Sequence, residues 1–259
     1  RSVNLTAFSD WLSSTSLPLI GAILLLSFGA ALYIGWRLGQ KTRREKAESD
    51  PLLTSAVLGL LALLLSFTYS LAVDRYEARR LLVQQEANAI GTMYLRAQLL
   101  EEPHRAAISR ILIDYTDNRL ALAGAGPREN RDLVARNDRL LDDFWSASAA
   151  AYPSLRSVEF VGVFYESANE LIDLDSTRKS ARLARVPPVI FILLFGYITV
   201  TAALLGYFAQ NNRSLTQSCL FIGLLISFLL VIVDIDQPTM GGIRESQAPM
   251  ERLRASLPD

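Results

Sequence analysis

Two short stretches carry the residues best suited to chemistry. The first is EANAIGT, in which Glu86 and Asn88 stand among Ala87, Ala89, Ile90 and Gly91. A carboxylate and a carboxamide on a face of small apolar residues must find partners once that face is packed, because burial takes away their water. A structural hydrogen bond and a ligand site both meet this need, and Arg96 or a neighbouring subunit could supply the partner. The second stretch is VDIDQPTMGGIRESQAPMERL. Asp234 and Asp236 are hard oxygen donors, and Gly241-Gly242 could turn backbone carbonyls toward a cation such as calcium. The acidic spacing and closing glutamate of an EF-hand are missing, so the plainer reading is a helix that stops at the water boundary on acidic residues and Pro238. On that reading Asp234, Asp236 and Arg244 pair with the charged start of the second helix, near Arg75, Arg79, Arg80 and Glu86, and no metal is expected.

A third pattern is a stripe rather than a cluster. Gly59, Leu63, Phe67, Ser70 and Asp74 follow one another in steps of three and four, which places them along one helix face. In an oligomer with this stripe at its axis, Leu63 and Phe67 form a hydrophobic constriction and Asp74 a charged ring at its mouth. In a monomer the same stripe is packing. Arg75, Arg79 and Arg80 follow at once and could form a solvated face, anchor to lipid headgroups or attract anions, while Asp74 and Glu77 oppose that attraction.

Other chemistries lack their parts. The chain holds one histidine, His104, and one cysteine, Cys219, so neither a zinc site, a disulfide within the chain nor a Ser-His or Cys-His pair can be built. No Walker loop, dinucleotide fingerprint, zinc-protease helix or nucleophile elbow occurs, and neither an enzyme nor a cofactor is expected. A formal net charge of +0 gives no basic surface for nucleic acid.

The elements that must position these residues read as an all-α membrane protein. With 51% hydrophobic residues gathered toward the two ends and charge gathered in the middle, the chain is too apolar for an ordinary soluble domain. After an N-terminal segment, 1–16, four runs can cross a bilayer: 17–38 and 51–73 as a first hairpin, then 188–209 and 215–233 as a second within 187–233. The first run is too long for the core of a signal peptide and reads as a retained span. Between the hairpins lies a helical, polar domain, 74–186, and after them a tail, 234–259. The second span continues into solvent as one long helix, since DRYEARRLLVQQEANAIGTMYLRAQLLEE has no proline and only Gly91. Pro103 opens the next helix, GAGP at 124–127 breaks it, a third helix covers 128–152, Pro153 starts a fourth, and Pro187-Pro188 marks a restart. Ser49 or Asp50 before Pro51 is a helix start, and Asn211 and Asn212 turn the second hairpin. Lys and Arg gather on the side of both termini and the middle region, which favours a cytoplasmic domain, although KTRREK in a short loop argues for the reverse.

RYEARRLLVQQEANAIGTMYLRAQLL together with DIDQPTMGGIRESQAPMERL resembles the bestrophin-like bacterial membrane proteins of unassigned function, which share a Glu-Ala-Asn-Ala-Ile-Gly-Thr core and an Asp-x-Asp-x-Pro tail. More distantly the chain is similar to the bestrophin anion channels, pentamers of four-span subunits with a large cytoplasmic helical domain. Phe67, with Leu63 one turn earlier, precedes Arg75-Tyr76 at a spacing like that of their neck, which implies that Gly59, Leu63 and Phe67 face a pore. Two features depart from that pattern: the acidic run after the last span is shorter than a calcium clasp, and Tyr76-Glu77 replaces the usual aromatics after the neck. The resemblance implies a homo-oligomeric, pentameric, anion-favouring channel of a bacterial inner membrane, with other copies of itself, the lipid bilayer and small inorganic ions as partners. A non-conducting scaffold or sensor whose helical domain binds a protein is the alternative. A transporter is opposed by the lack of an inverted repeat or a charge at mid-membrane.

Overall fold

The computed structural model describes residues 8, 11–12, 15–42, 51–125, 130–155, 158–209, 211–237 and 241–258. Among them are α1 (Leu17–Thr42), α2 (Pro51–Ala97), α3 (His104–Gly124), α4 (Asn130–Ala151), a 3₁₀ turn (Tyr152–Ser154), α5 (Val158–Leu183), α6 (Pro188–Phe208), α7 (Asn212–Asp236) and α8 (Ala248–Ser256). No strand occurs among the described residues. Among the described residues four helices are long and apolar enough to cross a membrane, within Leu17–Lys41, Thr54–Ala97, Glu159–Phe208 and Asn212–Asp236.

The chain divides into two compact units. One comprises Arg1–Tyr76 and Ala184–Arg244, the other Glu77–Leu183 and Glu245–Asp259. The first packs α1, α6, α7 and the first part of α2 around Phe28, Leu61, Leu194, Ile198, Ile222 and Ile232. Its tightest joint is α1 against α6. A Cβ placed on Gly35 would fall on the Ala203 carbonyl, one on Gly39 on the Tyr207 carbonyl, and one on Gly206 on the Leu32 carbonyl, all far inside van der Waals contact. Glycine is what lets these two backbones approach, the small-residue logic of helix packing where no hydrophobic effect separates lipid from side chain.

Helix ends in this unit follow local chemistry. At the start of α7, Asn211 accepts a hydrogen bond from the Ser214 N–H at 2.8 Å while the Ser214 hydroxyl receives the Asn211 N–H at 3.2 Å, a reciprocal capping box. Pro187 precedes α6 as its N-cap and Pro188 is its first residue, where a missing N–H costs nothing. The fourth span, α7, runs to Asp236, three residues past the expected 233, where Asp236 accepts the Val186 N–H at 2.9 Å within the protein. The stop at Pro238, the cap at Ser49 or Asp50 and the end of the GAGP break lie outside the described residues.

The second unit builds its core from Ile90, Met93, Ile108, Leu112, Tyr115, Phe144, Phe164 and Leu171, with Met250 from the tail. Two features differ from the sequence reading. Pro153 does not open a helix: it sits in the short 3₁₀ turn, Leu155 beyond it is extended, and α5 begins at Val158. The tail, 234–259, to which the sequence assigned no helix, contains α8, with Pro249 in its first turn and Met250 fully buried. Its nine residues are too few to stand alone, so docking of Met250 and Leu253 on the core holds it.

Candidate functional site

Helix α2 carries both stretches on which a function can be built. In the first unit its inner face is Leu61, Leu65, Thr68 and Ala72, all buried, with the Thr68 hydroxyl returned to the Leu64 carbonyl at 2.8 Å. The opposite face is the expected stripe. Phe67 is 66% exposed and Leu63 50%, and Gly59, Ser70 and Asp74 are exposed as well. All five therefore line one uncovered face of the single chain, with Ser66 beside them.

In the second unit α2 turns Glu86 fully inward. The Tyr115 hydroxyl donates to its Oε1 at 2.6 Å, Arg119 Nε stands 3.1 Å from the same oxygen, and Arg178 Nη1 pairs with Oε2. Asp175 is the second buried acid. Its Oδ1 accepts from Asn137 Nδ2 at 2.9 Å and lies 3.3 Å from Arg119 Nη1, and Lys179 Nζ reaches its Oδ2 at 2.6 Å. A fully partnered network of this kind fixes one relative placement of α2, α3, α4 and α5, since each charge would be costly alone. Burial, then the negative charge of Glu86, pushes the Tyr115 phenol well above the ordinary tyrosine range. Burial works against the Arg119 charge, but Glu86 and then the other neighbours outweigh it and raise that group. Because the folded state holds the Tyr115 proton more tightly than the unfolded chain, stability is full below pH about 10 and falls as pH rises beyond it. Tyr115→Phe removes that alkaline loss, which thermal melts at pH about 9 and about 11 would read directly; equal slopes for both proteins would contradict it.

The remaining expected residues are placed as follows. Arg79 is buried and its Nε stands 2.5 Å from Glu245 Oε1, whereas Arg80 is exposed and bonds Glu77 at 3.0 Å. Asn88 is exposed, and Arg96 donates to the Val163 carbonyl and the Ser167 hydroxyl rather than to Glu86. Asp234 Oδ1 accepts the Gly242 N–H at 2.5 Å and Asp236 the Val186 N–H, so both tail acids hold backbone. Arg244 Nε donates to the Gly241 carbonyl at 3.3 Å. Arg79, near the start of the polar part of α2, is paired instead with Glu245, the residue after Arg244. No group of three or more His, Cys, Asp or Glu able to hold a metal occurs among the described residues.

A family model described as a Bestrophin-like domain matches residues 21–250. The chain belongs to the bestrophin-like family. Solved structures agree on the fold. A variant of a bacterial bestrophin homologue from Klebsiella pneumoniae superposes with a TM-score of 0.71 at 16% identity, covering 94% of this chain and 97% of that one. A second variant of that homologue gives 0.69 at 16% identity over 90% and 96%. A structure described only as a membrane protein gives 0.70 at 14% identity over 90% and 97%. No curated protein matches the chain.

For this bestrophin-like protein, sequence reasoning found Glu86 and missed every partner it has. The signal was present in the spacing. Ile108, Leu112, Tyr115, Arg119 and Leu122 form the buried stripe of α3, and Phe164, Ala168, Leu171, Asp175 and Arg178 that of α5. A charge that falls in phase with an apolar stripe is buried with its helix face, and must be answered by an opposite charge in phase on another.

Proposed function

We propose that the protein is a homo-oligomeric, pentameric ion channel of a bacterial inner membrane, with α2 lining the pore and its continuation lining a vestibule. The observation that carries this is the uncovered face of α2, where Ser66, Ser70 and Asp74 accompany Leu63 and Phe67 on an otherwise apolar span. Hydroxyls and a carboxylate are poor neighbours for lipid tails, so such a face suits water or another subunit. Leu63 and Phe67 then form the constriction and Asp74 its charged mouth. Of the three arginines behind the expected anion preference, Arg79 is buried against Glu245 and Arg80 pairs with Glu77, which leaves Arg75 half-buried beside an exposed Asp74. A preference for small cations fits that charge better.

Flux through purified protein in liposomes tests the proposal. Phe67→Ala widens the constriction and raises flux by about threefold or more, and Asp74→Asn lowers the preference for cations. No flux in wild type or Phe67→Ala would sink the channel reading. The competing reading is a non-conducting scaffold, favoured by an open polar trough between α2 and α5 edged by Glu166, Glu170 and Asp173. A monomer or dimer in mild detergent would favour it, since neither leaves an axis for α2 to line.

A further inference from the structure

The joint between α1 and α6 changes character along its length. The two helices run in the same direction, since Gly35 meets Ala203 and, one turn on, Gly39 meets Tyr207. At that end glycine brings the backbones together. Toward the starts of both helices bulky side chains stand instead, Ile20, Ile23 and Leu24 on α1 and Phe191, Ile192 and Phe195 on α6. Side chains of that size hold the backbones apart, and a gap remains.

The gap is a cavity of about 270 Å³. Its floor is Ile20, Leu24, Phe191, Leu229 and Val233, all buried, while Trp11, Ile23, Ile192 and Phe195 form a half-open rim. Phe195 is packed on Phe28, with ring centroids 5.2 Å apart. Among the described residues that line it, the Trp11 indole carries the one polar side-chain atom. Water finds no partners there, since an apolar cavity of about 150 Å³ already stays dry and takes up an apolar molecule. The cavity falls in the first two turns of α1 and α6 and the last two of α7, inside three of the membrane-spanning helices. Its open side therefore faces acyl chains, roughly 10 Å or less from the ends of those helices.

The end nearer the headgroups is polar. Leu12, Phe191 and Val233 also wall a water-sized space bordered by Arg185, Asp236 and Gln237. Gln237 is buried, its Nε2 donates to the Leu12 carbonyl at 2.6 Å, and its Oε1 has no donor within the protein. A buried acceptor of this kind is answered from outside the chain, by water or a headgroup. Apolar depth beneath a polar end is the order of groups in a lipid.

We propose that this pocket holds one acyl chain of a bilayer phospholipid, with the glycerol and headgroup at the polar end beside Gln237. The chain supplies the contacts that an empty space denies the lining. The pocket lies within one subunit, so its occupancy does not depend on whether the protein conducts.

The test is native mass spectrometry of the protein purified in a steroid-based detergent, which has no alkyl chain to compete. Wild type retains one phospholipid per subunit. Ile23→Trp fills the pocket from its rim and shuts out part of the chain, and the loss of two methylenes alone lowers affinity by about tenfold. The retained lipid falls accordingly. Ile34→Trp, at an exposed position of the same helix outside the pocket, keeps it. Images of the wild-type protein in lipid nanodiscs show tubular density between α1 and α6 beside Phe195, a readout that needs no variant to fold. Wild type without lipid, undiminished lipid in Ile23→Trp, an equal loss in Ile34→Trp, or a pocket filled by side chains of a neighbouring copy overturns the proposal.

Discussion

Glu86→Ala lowers the stability of the helical unit by about 3–5 kcal/mol, and the thermal midpoint by on the order of 10 °C, the largest effect expected of any single substitution here. The reason is what stays behind. Arg119 and Arg178 remain buried with their shared carboxylate gone, and the Tyr115 hydroxyl loses its 2.6 Å acceptor. Asp175 still answers Arg119 at 3.3 Å, which leaves Arg178 as the stranded charge. Removing that charge too should restore much of the loss, because an ion pair exchanged for apolar side chains of similar volume is often neutral. The double variant Glu86→Met with Arg178→Met therefore melts well above Glu86→Ala. A cycle in which both single variants and the double lose equal amounts would show that Glu86 acts by its volume and not by its charge.

Gly206→Ala is the second large effect, in the membrane unit. The added methyl meets the Leu32 carbonyl and the Trp36 N–H, both helix backbone, so no side-chain rotation can make room and α1 must move away from α6. Overpacking of this kind costs about 1–3 kcal/mol, here at the upper end because the obstacle is rigid. Controls stand on the same helices. Gly29 in α1 and Gly196 in α6 have nothing within 4 Å of an added Cβ, and alanine there should be neutral or slightly stabilising through helix propensity. Unfolding in denaturing detergent separates the cases. Equal losses at Gly29 and Gly206 would mean that glycine matters for backbone flexibility rather than for close approach.

The helices were legible before any coordinates because a bilayer leaves few options: apolar runs of about 20 residues must be helical to satisfy their own backbone. The stripe from Gly59 to Asp74 was legible for the same reason, since helical period alone puts five residues on one face. Glu86 was conspicuous as a carboxylate among small residues. Its partners were not, because Tyr115, Arg119 and Arg178 lie 29 to 92 residues away and the two arginines resemble the ordinary surface charge of a polar helix. The tail shows the same limit: α8 has a weak local pattern and exists through Met250, which docks on a core assembled from other helices.

What the sequence determined alone is therefore the all-α membrane plan, the family, and the identity of the helix that carries the stripe from Gly59 to Asp74, all of which follow from local periodicity and from motif residues in order. The tertiary structure decided which charges are buried and with whom, and that Arg79 and Arg80 are already committed. Those outcomes depend on which helix faces meet, and pairing between distant faces is a property of the packed chain that no local pattern encodes.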